Sequence, residues 1–228
     1  MPITDWPMDE RPREKLLTHG AAHLTDAELL AIFLRVGMVG KSAVDLAHEL
    51  IAHFGTLSRL FQANINELSS IKGMGQAKYV QLQAVLEMSR RALKDTLAQS
   101  PSFNQMAALK TFIQLQFTGL TQETLMVLFF HPNLSLIGIE TLATGSSTQV
   151  ELPTRLIAQR ALSQNAHSII LAHNHPHGDA QPSIDDVHNT ILLQKHLQPL
   201  NIMVLDHFII ADGHDAYSMT EHRQIQTQ

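Results

Sequence analysis

The densest chemistry in the chain lies between His173 and Asp186, which reads His-Asn-His-Pro-His-Gly-Asp-Ala-Gln-Pro-Ser-Ile-Asp-Asp. An apolar run, Ser168 to Ala172, leads straight into His173, so the histidine closes a predicted strand. Side chains alternate along a strand, which sends His173 and His175 to the same side. Pro176 cannot continue a ladder, and Gly178-Asp179 reads as a turn. Ser183 then suits a helix N-cap, with Asp186 in the first turn. Two imidazoles and a carboxylate brought together in this way can share one cation. Three N/O ligands with an open fourth position is the arrangement of a catalytic zinc site. The same residues admit a plainer account, in which His175 is a surface turn residue and Ser183-x-x-Asp186 is only a capping box.

A further carboxylate, Glu140, interrupts the apolar segment Leu136 to Leu142. Burying a carboxylate unpaired is expensive, so Glu140 either faces water from an edge strand or has a task. In the first half, Leu68 to Lys78 carries Lys72, Gly73, Gly75 and Lys78. Glycines allow a tight turn and close backbone approach, and N–H groups at the next helix start can hold a phosphate. The lysines, with Arg90, Arg91 and Lys94 further on, add charge. A helical hairpin used only for packing is the plain alternative. Two other stretches imitate known sites without the required spacing. Gly37-Met-Val-Gly40-Lys41-Ser42 has Arg35 where a P-loop needs its first glycine, and it follows a predicted helix. His48 and His53 are one residue too far apart for H-E-x-x-H, so their rings lie about 140° apart around a helix. No nucleotide site is expected.

The elements that must carry these residues follow from composition and pattern. The 228 residues include no cysteine, which excludes disulfides, thiolate zinc fingers, iron–sulfur clusters and a cysteine nucleophile. Any metal must use carboxylates or some of the 14 histidines. Residues 1–100 hold 11 Lys/Arg and 11 Asp/Glu, whereas residues 101–228 hold 5 and 10, together with 10 of the histidines. That asymmetry suggests two domains with different tasks, neither basic enough to predict nucleic-acid binding from charge alone. The longest apolar run, Leu125 to Phe130, is far too short to span a membrane, and Met1 to Lys15 has no apolar signal region. A cytoplasmic protein without membrane contact is expected.

Helices are expected after Thr25-Asp26-Ala27-Glu28, from about Ser42 to Phe54, from Asn64, and in a long run after Gly75. Ser100-Pro101-Ser102 with Asn104 reads as a linker, and Ala107 to Phe117 as a helix. Strands are expected at Thr124–Phe130, Leu134–Leu142, His167–His173 and Ile202–Ile210, with helices at about 153–165 and 183–198. The fold class is therefore α/β, with a helical domain over 1–100 and a compact α/β domain over 101–228.

The pattern His173-x-His175-Pro176-x-Gly178-x-x-x-Pro182-Ser183-x-x-Asp186 resembles the JAMM metalloprotease motif of the JAB/MPN family. With Arg11-Pro-Arg-Glu-Lys-Leu-Leu17, Asp26-Ala-Glu-Leu-Leu-Ala31 and Leu205-Asp206-His207, the chain resembles bacterial RadC-type proteins over nearly its whole length. The resemblance implies a JAB/MPN-type, cytidine-deaminase-like mixed-sheet domain. It implies one Zn²⁺ per chain on His173, His175 and Asp186. Glu140 would accept a proton from the water on that zinc, and Ser183 would hydrogen-bond the developing oxyanion. The implied activity is hydrolysis of a peptide or isopeptide bond in a peptide or protein substrate. Leu68 to Lys78 is similar to a helix-hairpin-helix, which implies DNA-backbone contact through Lys72, Gly73, Gly75 and Lys78. The alternative function is a DNA-binding accessory protein of repair or recombination whose metal domain is structural or vestigial. A zinc nuclease is less natural with one metal and few cations, and nucleobase deamination lacks its P-C-x-x-C ligands. Two departures bear on the site. Leu152-Pro153-Thr154-Arg155 stands where relatives commonly show His-Pro-Arg-Glu, and His177, a candidate stray ligand, stands where a small residue is usual. Asp206-His207 is expected to be a packing pair at a strand end or a pair supporting the metal ligands from behind, rather than a ligand.

Overall fold

The computed structural model describes residues 5–99, 106–145, 152–176 and 178–226. The expected linker, Ser100 to Asn104, and His177 lie outside the described residues. The chain divides into two compact units, Met1–Val85 and Leu86–Gln228.

Capping chemistry starts the helices of the first unit. Helix α1 (Pro12–His19) begins on a proline, whose missing N–H has no partner to lose there. Complete capping boxes open α2 (Asp26–Leu34) at Thr25/Glu28, α3 (Ala43–Phe54) at Ser42/Asp45 and α5 (Ile65–Ser69) at Asn64/Glu67. Between them, Thr56 caps α4 (Leu57–Gln62) by accepting from the Arg59 N–H. Leu30, Leu34, Leu46, Leu50, Leu60 and Leu68 form one apolar core. The glycines that imitate a P-loop serve a tight turn closed by a Met38–Lys41 bridge, where a Cβ at Gly37 would collide with the Lys41 carbonyl. Lys41 pairs with Glu49.

The long helix α6 (Gln76–Gln99) crosses the division between the units. The division therefore falls inside a helix, not at the expected linker, because Leu93 and Leu97 pack into the core of the second unit. There, α7 (Met106–Phe117) is followed by β1 (Glu123–Phe130), β2 (Leu136–Gly145), α8 (Thr154–Ser163), β3 (Ser168–Asn174), α9 (Ile184–Leu197), β4 (Met203–Ile210) and the short β5 (Tyr217–Ser218). The sheet order is β2-β1-β3-β4-β5; β3 and β4 run parallel and the other pairs antiparallel. Three layers result. One face of the sheet packs Met126, Leu128, Ile170, Ala172 and Phe208 on Leu97, Leu109 and Phe112. The other packs Val127, Phe129, Ile169, Leu171 and Val204 on Ile157, Ala161, Leu193 and Leu197 of α8 and α9. Burial on both faces explains why β1 and β3 read as continuous apolar runs. No helix among the described residues is long and apolar enough to cross a membrane.

Candidate metal centre

Strand β3 is buried along its whole length and delivers His173 at its end, 5 % exposed. Alternation puts His173 on the side of Ile169 and Leu171, facing α9, and His175 follows on the same side. Their Nε2 atoms lie 2.9 Å apart. The far nitrogen of His175, Nδ1, lies 2.9 Å from the Asp179 carbonyl, which can only accept, so Nδ1–H donates there and Nε2 is the nitrogen turned to His173. At the start of α9, Ser183 N–H and Oγ–H donate to Asp186 Oδ2 at 2.8 and 2.7 Å, and Asp186 N–H donates back to Ser183 Oγ at 3.1 Å. The other carboxylate oxygen, Oδ1, is 3.5 Å from His173 Nε2, while Oδ2 is 3.9 Å from His175 Nε2. The carboxylate that closes the capping box thus also faces both imidazoles. His173, His175, Ser183 and Asp186 come together.

Glu140 does not join them. It sits on β2 opposite Val127, which pairs in turn with Leu171. That position is two strands over and two residues along from His173, roughly 12 Å between backbones. Glu140 instead accepts from Gln164 Nε2 at 2.6 Å and pairs with Arg160 at 3.3 Å, so α8 supplies the reason for a carboxylate in an apolar strand. The carboxylate that does reach the histidines is Glu123. Its ligand atoms and those of His173 and His175 all lie within 4.8 Å of one another. Antiparallel pairing dictates this, because Leu125 is opposite His173 and Glu123 lies two residues further on the same face. Asn174, between the two histidines, clamps the approach: Thr124 N–H donates to its Oδ1 at 2.8 Å, and its Nδ2 donates to the Gln122 carbonyl at 3.2 Å. Glu123 was missed because it precedes its apolar run rather than interrupting it. The available signal was that the first residue of an antiparallel strand lies beside the last of its partner.

Burial sets the protonation states. His173 is pushed down to about 4, chiefly by burial, with the Asp186 charge opposing the shift. Burial likewise holds His207 well below the usual histidine range. Burial raises Glu123, Asp186 raises it further, and His175 opposes. Uncharged imidazoles, as the two buried ones are, are the form in which histidine binds metals. Two imidazole nitrogens with the carboxylate of Asp186 make a donor set suited to a divalent ion of zinc's borderline character, and the Glu123 carboxylate lies beside it. Beside the loop, a cleft of about 610 Å³ is lined by Asp179, Ala180, Gln181, His214, Tyr217 and His222, among others.

Residues 103–225 match the family model for the RadC-like JAB domain, and residues 3–80 match the model named UPF0758 N-terminal. The chain belongs to the UPF0758 family, with a RadC-like JAB domain. UPF0758 proteins of Herminiimonas arsenicoxydans and of Ralstonia pickettii (strain 12J) are 47 % and 51 % identical to it. Those alignments cover 99 % and 97 % of this chain, and 100 % and 99 % of the relatives.

Within the JAB domain, the departure Leu152-Pro153-Thr154-Arg155 forms the start of α8, where Pro153 offers no side-chain cap and the Thr154 hydroxyl donates to the Leu152 carbonyl at 3.3 Å. Asp206 and His207 are not one pair. Asp206 accepts from the backbone N–H of His207 and Thr220 at 2.7 and 3.0 Å and from the Ser218 hydroxyl, which ties β4 to the segment after it. His207 turns the other way, with Nε2 2.7 Å from His173 Nδ1. In the UPF0758 N-terminal region, the turn between α5 and α6 has Gly73 at φ +92°. Lys78 Nζ donates to the Gly73 carbonyl at 2.7 Å, so Lys78 staples the turn, while Lys72 and Gly75 are exposed.

Proposed function

We propose that the JAB domain binds one Zn²⁺ through His173 Nε2, His175 Nε2 and Asp186 and hydrolyses an amide bond of a peptide or protein. The observation that carries this reading is the convergence of two imidazole nitrogens and two carboxylates at the end of β3. A zinc ion held there would lower the pKa of a water molecule to near 7 and polarise the substrate carbonyl. Glu123, whose proton affinity burial raises, takes the proton from the attacking water on its carboxylate and passes it to the leaving amine nitrogen. The base expected at Glu140 is thereby reassigned to Glu123. Ser183 Oγ–H swings from Asp186 Oδ2 to the carbonyl oxygen as negative charge grows on that oxygen. Asp186 remains anchored through the Ser183 N–H. The cleft beside Asp179–Gln181 supports an extended substrate lying across the loop. Metal analysis with a peptide- and isopeptide-cleavage screen tests the reading: about one zinc per chain and chelator-sensitive cleavage are expected, and a zinc-free, inactive protein overturns it.

We propose a second, independent role for the first unit: weak contact with a DNA backbone at the exposed turn Lys72–Gly75. The favouring observation is the stapled positive-φ turn directly before the 24-residue helix α6. Full-length protein should bind DNA without sequence preference and with steep salt dependence, and Lys72→Glu should weaken binding. No binding at low salt would leave the turn as a packing element.

A further inference from the structure

Five close contacts run in line from α9 along one face of the sheet to the loop after β3. Asp186 O lies 2.6 Å from Thr190 Oγ1, and Thr190 Oγ1 lies 2.7 Å from His207 Nδ1. His207 Nε2 lies 2.7 Å from His173 Nδ1. His173 Nε2 lies 2.9 Å from His175 Nε2, and His175 Nδ1 lies 2.9 Å from Asp179 O. At these separations each contact calls for a proton between its two atoms. Both ends of the line are backbone carbonyls, which only accept. The four side chains between them are one hydroxyl and three imidazoles, and with the imidazoles in the uncharged form that binds metals each carries one exchangeable proton.

Four protons serve five contacts, so one contact leaves two lone pairs facing each other. A cation belongs at that gap. Thr190 and His207 are 0 % and 1 % exposed, which buries the first three contacts. The His173–His175 contact has carboxylate oxygens beside it, those of Asp186 at 3.5 and 3.9 Å and of Glu123 within 4.8 Å. With the gap there, Thr190 donates to Asp186 O, His207 Nδ1–H to Thr190, His173 Nδ1–H to His207 Nε2, and His175 Nδ1–H to Asp179 O. Both Nε2 atoms are then bare toward one point.

We infer that Thr190 and His207 are positioning residues that hold His173 in its Nδ1–H tautomer and so keep the gap at the metal end of the line. The inference rests on the metal reading proposed above. It makes a specific demand of Thr190, which contributes no atom to the ligand set. Thr190→Val removes two contacts and one proton, leaving three protons for three contacts. His207 and His173 then both carry their protons on Nε2, and His173 donates to His175. The gap closes without a cation, and a metal must break that hydrogen bond to enter.

The experiment measures zinc affinity of the full chain by chelator competition and reads the imidazole ¹⁵N resonances of the same proteins without metal. Thr190→Val should weaken zinc binding about 10–100-fold, the range for groups that orient metal ligands, and should move the His173 proton to Nε2. Thr190→Ser, which keeps the hydroxyl, should restore both. His207→Leu should weaken zinc binding over the same range. Unchanged affinity and tautomer in Thr190→Val would overturn the inference while leaving the metal reading intact. A loss of affinity that Thr190→Ser does not restore would also overturn it, as a packing effect. An unsubstituted chain that binds no zinc would fell the metal reading, and this inference with it.

Discussion

Ser42 and Ser183 start their helices with the same three hydrogen bonds. In each, the serine N–H and Oγ–H donate to the aspartate Oδ2 at 2.8 and 2.7 Å, and the aspartate N–H donates back at 3.1 Å. What lies in front of the two aspartates differs. The Ser42 hydrogen bonds hold Asp45 below the usual carboxylate range, and Asp45 projects into solvent. Asp186 turns Oδ1 toward two imidazoles at the end of a buried strand. An identical local device is a helix start open to solvent in the first unit and a helix start facing two imidazoles in the second. The chemistry comes from what the sheet places opposite the cap.

The largest expected contrast is in metal content. Asp186→Asn, or His173→Ala with His175→Ala, should leave the protein nearly zinc-free, whereas Asp45→Asn should leave zinc near one per chain. His48→Ala and His53→Ala, on the motif that mimics H-E-x-x-H, should also leave it unchanged. Zinc retained by the His173/His175 double variant would erase the distinction between the two aspartates.

Next in size is turnover. Glu123→Gln should keep zinc and lower peptide cleavage about 10²–10⁴-fold, the usual scale for losing a positioned proton acceptor. Glu140→Gln should leave cleavage near wild type, because Glu140 faces Arg160 and Gln164. The reverse outcome would return the base to β2.

Acid should separate the two units in stability. Burial lowers His173 from 6.5 to about 4, so between those values the unfolded chain takes up a proton that the folded chain refuses. The neutral form's stabilisation is complete above about pH 6.5 and falls away as pH drops toward 4, by about 3 kcal/mol for this group. Hydrogen exchange on chelator-treated protein should therefore show the second unit opening first between pH 6.5 and 4. Equal acid sensitivity in both units would count against a buried neutral His173.

The smallest contrast is the cap itself. Ser42→Ala and Ser183→Ala should each cost about 1 kcal/mol in denaturant melts, since the hydrogen bonds are alike. Only Ser183→Ala should also slow cleavage. A rate loss absent from Ser183→Ala would reduce that serine to a cap.

Much of this was present in the order of residues. Local rules place the capping boxes, the apolar strands and the His-x-His alternation, because each involves atoms a few residues apart, and they bring His173, His175 and Asp186 within reach once β3 and α9 exist. The choice between Glu140 and Glu123 was beyond them, since each is a carboxylate beside or within an apolar run. It was made by the antiparallel pairing of β1 with β3, which sets Leu125 opposite His173. The division at Val85 was equally hidden, because nothing local marks where a continuous helix changes the core it packs on.

His207 shows the limit most plainly. In a regular strand Val204, Asp206 and Phe208 would share a face, yet Val204 packs toward α9 and Phe208 toward α7. A register shift between Ile169 and Ile170 lets Leu205 bulge, and from there on the odd-numbered side chains of β4 face α9. Asp-His within an apolar strand was readable from the sequence alone. Which of the two would meet His173 depended on one extra residue in a strand pairing, and pairing is settled by the packing of both sheet faces together rather than by any residue's own preference.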